Sequence, residues 1–125
     1  MEGRMKKKVL IIEDNQANLT LVRDLLAHHG YETLEATNGE EGIRIAAERL
    51  PNLILMDIQM PVMNGFTAIE RLRGDPRTKD IKIIAVTSFA MTGDRERVLK
   101  TGADEYISKP IDTRKLPALV KKIIG

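Results

Sequence analysis

Apolar and polar positions along this chain switch repeatedly between two periods. The runs Val9-Leu10-Ile11-Ile12, Leu53-Ile54-Leu55-Met56 and Ile83-Ile84-Ala85-Val86 are short and have no polar alternation. Such runs read as strands buried on both faces. Between them the apolar spacing becomes helical. A strand is predicted over residues 7–12, then a helix with Leu21, Val22, Leu25 and Leu26 on its buried face and Gly30 as its stop. A strand over 31–36 precedes a second helix, capped by Asn38 with Glu41 at capping-box spacing. Ile43, Ala46, Ala47 and Leu50 form that helix's stripe, and Pro51 ends it. After a strand over 53–57, Pro61 and Gly65 bracket a loop, Phe66, Ile69 and Leu72 mark a third helix, and Gly74-Asp75-Pro76 forms a turn. A strand over 82–87, a helix over 92–101, a strand over 105–108 and a helix over 112–124 complete the pattern. Pro117 would cost a backbone hydrogen bond inside the last helix, which predicts a late start or an irregular first turn. Leu116, Leu119, Val120 and Ile123 still give that helix a buried stripe.

Strict strand–helix alternation with short connections implies an α/β fold, a parallel sheet with helices on both faces. The crossover rule makes a doubly wound, five-stranded sheet in the order 2-1-3-4-5, with five helices, the natural topology. Ligands in such folds sit beyond the carboxyl ends of the strands, at the switch between strands 1 and 3.

Composition narrows the class. A chain of 125 residues, 42% apolar and 30% charged, reads as one soluble domain over residues 7–125 behind a short leader, 1–6, with no output domain. Arg4, Lys6, Lys7 and Lys8 crowd the start, but net charge is only +2 and no aromatic residues are interleaved. This argues for a solvated lead-in and against nucleic-acid binding. The absence of cysteine excludes disulfides, a thiolate nucleophile and zinc–cysteine sites. No apolar stretch approaches the ~20 residues that span a bilayer, so no membrane insertion is expected, and without a secretion signal the expected location is cytoplasmic.

The chemistry lies where the strands end. The first runs into Glu13-Asp14, the third ends on Asp57, the fourth on Thr87-Ser88 and the fifth on Ser108-Lys109-Pro110. Each residue has a plainer reading alone. Glu13 and Asp14 would cap a helix, Asp57 a loop, Thr87 would be β-branched filler and Lys109 solvated. Brought to one rim they form a site for a divalent cation and a phosphoryl group. Three carboxylates crowded without a cation would repel one another and force protonation. A hard cation such as Mg²⁺ takes oxygen ligands. Asp14 and Asp57 would ligate directly and Glu13 through water. Asp57 is then also a candidate nucleophile able to carry an aspartyl phosphate. Lys109 would meet a phosphoryl oxygen and Thr87 would offer a hydroxyl. The Lys109–Pro110 bond, open to the cis form, would set the direction of the lysine.

These residues, in this order and at these spacings, resemble a response-regulator receiver domain of two-component signalling across essentially the whole chain. Glu13-Asp14 matches the acidic pair, Asp57 the phosphoacceptor, Met60-Pro61 with Gly65 the following loop, Thr87 the switch hydroxyl, Tyr106 the switch aromatic and Lys109-Pro110 the final signature. The stretches 55–61 and 85–91 resemble single-domain regulators of cell division and polarity of the DivK type, and also receivers attached to hybrid histidine kinases. The resemblance implies a flavodoxin/CheY-like fold and Mg²⁺ (Mn²⁺ as substitute) on Asp14, Asp57 and the backbone carbonyl of Gln59. It implies a histidine kinase or histidine phosphotransferase as donor, docked near Asn15, Asn18, Leu19 and Ile111, with Leu19 off the buried helix face. It further implies output to a protein target through helix 4, strand 5 and helix 5. Gln59 and Phe89 would tune dephosphorylation, Phe89 by screening the attacking water.

Other readings fit less well. A Mg²⁺-dependent aspartyl phosphatase needs a second aspartate where Gln59 stands. A flavodoxin-like cofactor binder needs a phosphate-cradling loop where Glu13-Asp14-Asn15 would repel phosphate. A vestigial scaffold would not fill every signature position. A receiver excised from a larger hybrid kinase remains an alternative setting for the same chemistry.

Overall fold

A computed structural model describes residues 6–88 and 93–125. Five strands and five helices alternate: β1 (Lys8–Ile12), α1 (Gln16–His28), β2 (Glu32–Ala36), α2 (Gly39–Arg49), β3 (Leu53–Asp57), α3 (Gly65–Arg73), β4 (Lys82–Thr87), α4 (Asp94–Thr101), β5 (Glu105–Ser108) and α5 (Lys115–Ile124). All strand pairs are parallel and their order is β2-β1-β3-β4-β5, as the alternation predicts. All five residues of β3 are buried, which is what its unbroken apolar run demands of a central strand.

The sheet separates two apolar layers. On one face Leu10, Ile12, Ile54, Met56, Ile83 and Ala85 pack against α2, α3 and α4 through Ala46, Ile69, Leu72 and Val98. On the other, Val9, Ile11, Leu53, Leu55, Ile84 and Val86 meet Leu19, Val22, Leu26, Leu116 and Val120 of α1 and α5.

Three expectations about helix faces need correction. Leu19 is not off the buried face; it is 2% exposed, whereas Leu21, expected inside, is 44% exposed. The helix begins at Gln16 behind an Asn15 cap, and in that phase Leu19, Val22 and Leu26 follow the i, i+3, i+7 rule toward the sheet. Leu50 was expected in the α2 stripe but is 55% exposed. It caps the helix in the left-handed region (φ 46°), which turns its side chain away before Pro51. Gly39, Gly42 and Ala46 carry the buried face instead. Gly42 sits so close to β1 that a Cβ there would meet Ile12 Cδ1 at 2.3 Å.

The last helix does start late. Asp112 Oδ1 accepts from the backbone N–H groups of Arg114 and Lys115, and helical geometry begins at Lys115. Pro117 thus falls in the first turn, where backbone N–H groups have no helical partner.

At the pole where the strands begin, Arg73 gathers three segments. Its guanidinium donates to the carbonyls of Gly102 (2.9 Å), Lys79 (2.8 Å) and Ile81 (2.6 Å) and to Asp104 Oδ2 (2.9 Å). The same Asp104 oxygen accepts from Ile83 N at 2.8 Å. The end of α3, the approach to β4 and the α4–β5 turn therefore share one cation.

Candidate phosphoacceptor site

Parallel register brings the strand ends level. Ile12 lies beside Met56, Asp57 beside Val86, and Thr87 beside Ser108. The residues following these ends converge on one rim. One oxygen each from Glu13, Asp14 and Asp57 lies within 4.8 Å of the others. Asp57 is 1% exposed, Glu13 5% and Thr87 0%, while Asp14 faces solvent.

Buried carboxylates need a counter-charge, and Lys109 supplies it. Its Nζ lies 2.9 Å from Asp57 Oδ2 and 3.9 Å from Glu13 Oε1. The Lys109–Pro110 bond is cis. Burial, together with the hydrogen bond and repulsion from Asp57, pushes the Glu13 carboxyl from its ordinary 4.5 up to about 7. This is the protonation expected of crowded carboxylates.

The plain reading of the acidic pair as a helix cap does not hold. Asn15 is the cap of α1, its side chain accepting from Asn18 N at 2.9 Å. Glu13 instead accepts from Asn15 N through Oε2, at 3.1 Å. Both acidic residues are left to face Asp57.

The segment after Asp57 is tightly folded. Gln59 N donates to Asp57 Oδ1 at 3.0 Å, and Gly65 N closes the loop onto Ile58 O at 3.0 Å. A Cβ on Gly65 would lie 2.7 Å from Ile58 Cα and 2.9 Å from the Asp57 carbonyl oxygen. Only glycine fits there. Asn64 caps α3 beside it. Sequence reading did not anticipate the Gln59 side chain, whose Nε2 donates to Thr87 Oγ1 at 3.1 Å. No periodicity or motif signals the reach of this loop side chain to the end of β4.

Tyr106 is half-buried, with the Arg95 guanidinium 5.1 Å from its ring centroid. Phe89 lies outside the described residues. Of the expected docking residues, Asn15 is exposed, and Asn18 and Ile111 line a groove of about 360 Å³ with Leu21, Ser88, Lys109 and Pro110. Leu19 lies beneath this surface in the core, and Leu21 takes the exposed place expected of it.

Comparison with known families decides the class. Residues 9–121 match the model of the response regulator receiver domain. The chain belongs to that family. It is 45% identical over 121 residues to the polar-differentiation response regulator DivK of Brucella anthropi, covering 97% of this chain and 98% of the relative. A putative response regulator of Chloroflexus aurantiacus has a similar structure, with a TM-score of 0.91 at 28% identity, over 96% of this chain and 98% of that one. The receiver domain of the sensor histidine kinase PA1611 of Pseudomonas aeruginosa, whose structure holds a magnesium ion in its active-site cleft, gives a TM-score of 0.90 at 31% identity, over 97% and 99%. In the present receiver, three convergent carboxylates form an all-oxygen donor set that fits a hard divalent cation and supports Mg²⁺ binding. No helix among the described residues is long and apolar enough to cross a membrane.

Proposed function

We propose that Asp57 accepts a phosphoryl group from the phosphohistidine of a partner histidine kinase or phosphotransferase. The donor's N–P bond breaks as an Asp57 carboxylate oxygen bonds to phosphorus; with a proton on the other ring nitrogen of the phosphohistidine, an acyl phosphate is left here and a neutral imidazole on the donor. What carries the reading is a buried carboxylate at a strand end, 2.9 Å from one lysine and beside two further carboxylates. Asp14, Asp57 and the Gln59 carbonyl would hold Mg²⁺, or Mn²⁺ in its place, with Glu13 binding through water. The cation supplies charge neutralisation on the phosphoryl oxygens.

Lys109 moves from its ion pair to a phosphoryl oxygen as the carboxylate charge is converted. Thr87 turns its hydroxyl to another, and Tyr106 turns inward into the space released. The local charge thereby biases a two-state element, and α4, β5 and α5 present a changed face to a protein target. Asn15, Asn18 and Ile111, with Leu21 in place of Leu19, receive the donor in the cytoplasm. Gln59 and Phe89 tune the loss of phosphate, and the receiver assists both its own phosphorylation and its dephosphorylation.

Intact mass after incubation with acetyl phosphate, with and without Mg²⁺, tests the reading. A Mg²⁺-dependent gain of one phosphoryl group that vanishes in Asp57→Asn is expected. A gain that survives in Asp57→Asn moves the acceptor elsewhere.

A further inference from the structure

One side chain joins the phosphoacceptor to the end of the neighbouring strand. Gln59 N donates to Asp57 Oδ1 at 3.0 Å. Its carboxamide reaches across to β4, where Nε2 donates to Thr87 Oγ1 at 3.1 Å and Oε1 accepts from the Ser88 backbone N–H at 3.2 Å. Thr87 and Ser88 are the polar groups directly beyond Val86, the residue paired with Asp57.

A phosphoryl group on Asp57 places acceptor oxygens beside these groups. Lys109 covers Oδ2 and the Gln59 N–H covers Oδ1, and on the β4 side the groups facing the acceptor are the Thr87 hydroxyl and the Ser88 N–H. A backbone N–H has one hydrogen. Ser88 N–H therefore serves either the Gln59 Oε1 or a phosphoryl oxygen. The Thr87 hydroxyl only accepts from Gln59 Nε2, so that bond does not use its proton but ties the side chain to the Gln59 amide.

We propose that Gln59 Oε1 is an internal stand-in for a phosphoryl oxygen, and that the carboxamide is a latch holding Thr87 and Ser88 in the unphosphorylated arrangement until it is displaced. The inference rests on Asp57 being the phosphoacceptor, and it assigns Gln59 a role separate from its backbone carbonyl and from control of attacking water. Gln59 is here a positioning residue, acting through Thr87 and Ser88.

The test is the affinity of the protein for beryllofluoride with Mg²⁺, a phosphoryl mimic that coordinates a carboxylate oxygen, in wild type and Gln59→Leu. Leucine has similar volume but no amide, so the mimic no longer competes with Gln59 Oε1 for the Ser88 N–H. Affinity should rise about tenfold. In the phosphate-free protein, the Ser88 amide proton should move upfield in Gln59→Leu as its partner is lost. Equal or weaker binding by Gln59→Leu, with wild type forming the adduct, overturns the latch alone. An unmoved Ser88 amide overturns it as well. No adduct on wild type overturns the phosphoacceptor reading and the latch with it. A residue that merely stabilised the fold would lower stability on substitution without raising affinity for the mimic.

Discussion

Glu13 shows how a single residue registers the crowding of buried carboxylates. Its carboxyl is raised to about 7 by burial and by Asp57, while Lys109 and the Asn15 N–H only partly offset this. A carboxyl raised in the folded state keeps a proton that the unfolded chain has released. Its stabilising effect is complete below its ordinary 4.5 and is lost as pH climbs through about 7. The metal-free protein should therefore become less stable from about pH 5 to about pH 8, seen as a falling urea midpoint. Glu13→Gln should flatten that slope. Mg²⁺ should reverse it, because ligands must be deprotonated to bind.

At the scale of elements, the turn from β3 into α3 is the least forgiving segment. Adding a Cβ at Gly65 brings it against Ile58 Cα and the Asp57 carbonyl, which are backbone atoms and cannot step aside. Gly65→Ala should cost about 1–3 kcal/mol in chemical denaturation and slow phosphoryl uptake, since Asp57 must shift with the loop. Gly42→Ala offers the contrast. A Cβ there would meet Ile12 Cδ1 at 2.3 Å and Cγ1 at 2.8 Å, side-chain atoms of the core rather than the backbone of the Asp57 loop, so it should destabilise the fold but leave uptake unchanged. Elements themselves were legible wherever the apolar pattern admitted one phase. The continuous runs of β1, β3 and β4 left no alternative, and Asn38 with Glu41 marked the start of α2 as the structure has it. In α1, Leu19, Leu21, Val22, Leu25 and Leu26 allow two stripes, and sequence alone does not choose between them. The Asn15 cap sets the phase, and sheet packing then selects Leu19 over Leu21. Leu50 misled because hydrophobicity does not report that its backbone has turned left-handed.

For the whole molecule, the convergence of Glu13, Asp14, Asp57 and Lys109 was readable because parallel topology fixes which strand ends meet. The Gln59 bridge to β4 was not readable, because it depends on side-chain reach across the sheet. The same holds for the Arg73 cluster at the opposite pole, which nothing in the apolar pattern announces. That cluster has a mechanical consequence. Helix α4 has 8 residues, about 12 Å of rod at ~1.5 Å per residue. Its carboxyl end is fastened through Gly102 and Asp104 to Arg73, whereas among the described residues its amino end, at Gly93, has no side-chain cap and its first turns rest on ring faces, Arg95 on Tyr106 and Arg97 on Phe66. Such a rod turns about its fastened end as a lever about a fulcrum, so displacement grows with distance from Gly102. Spin labels at Glu96 and Lys100, each measured against one at Glu48 on α2, should report the larger distance change at residue 96 on phosphorylation, and equal changes would mean the rod slides rather than pivots. A guanidinium far from the reacting carboxylate would then determine how large a movement a partner meets at the face of the molecule.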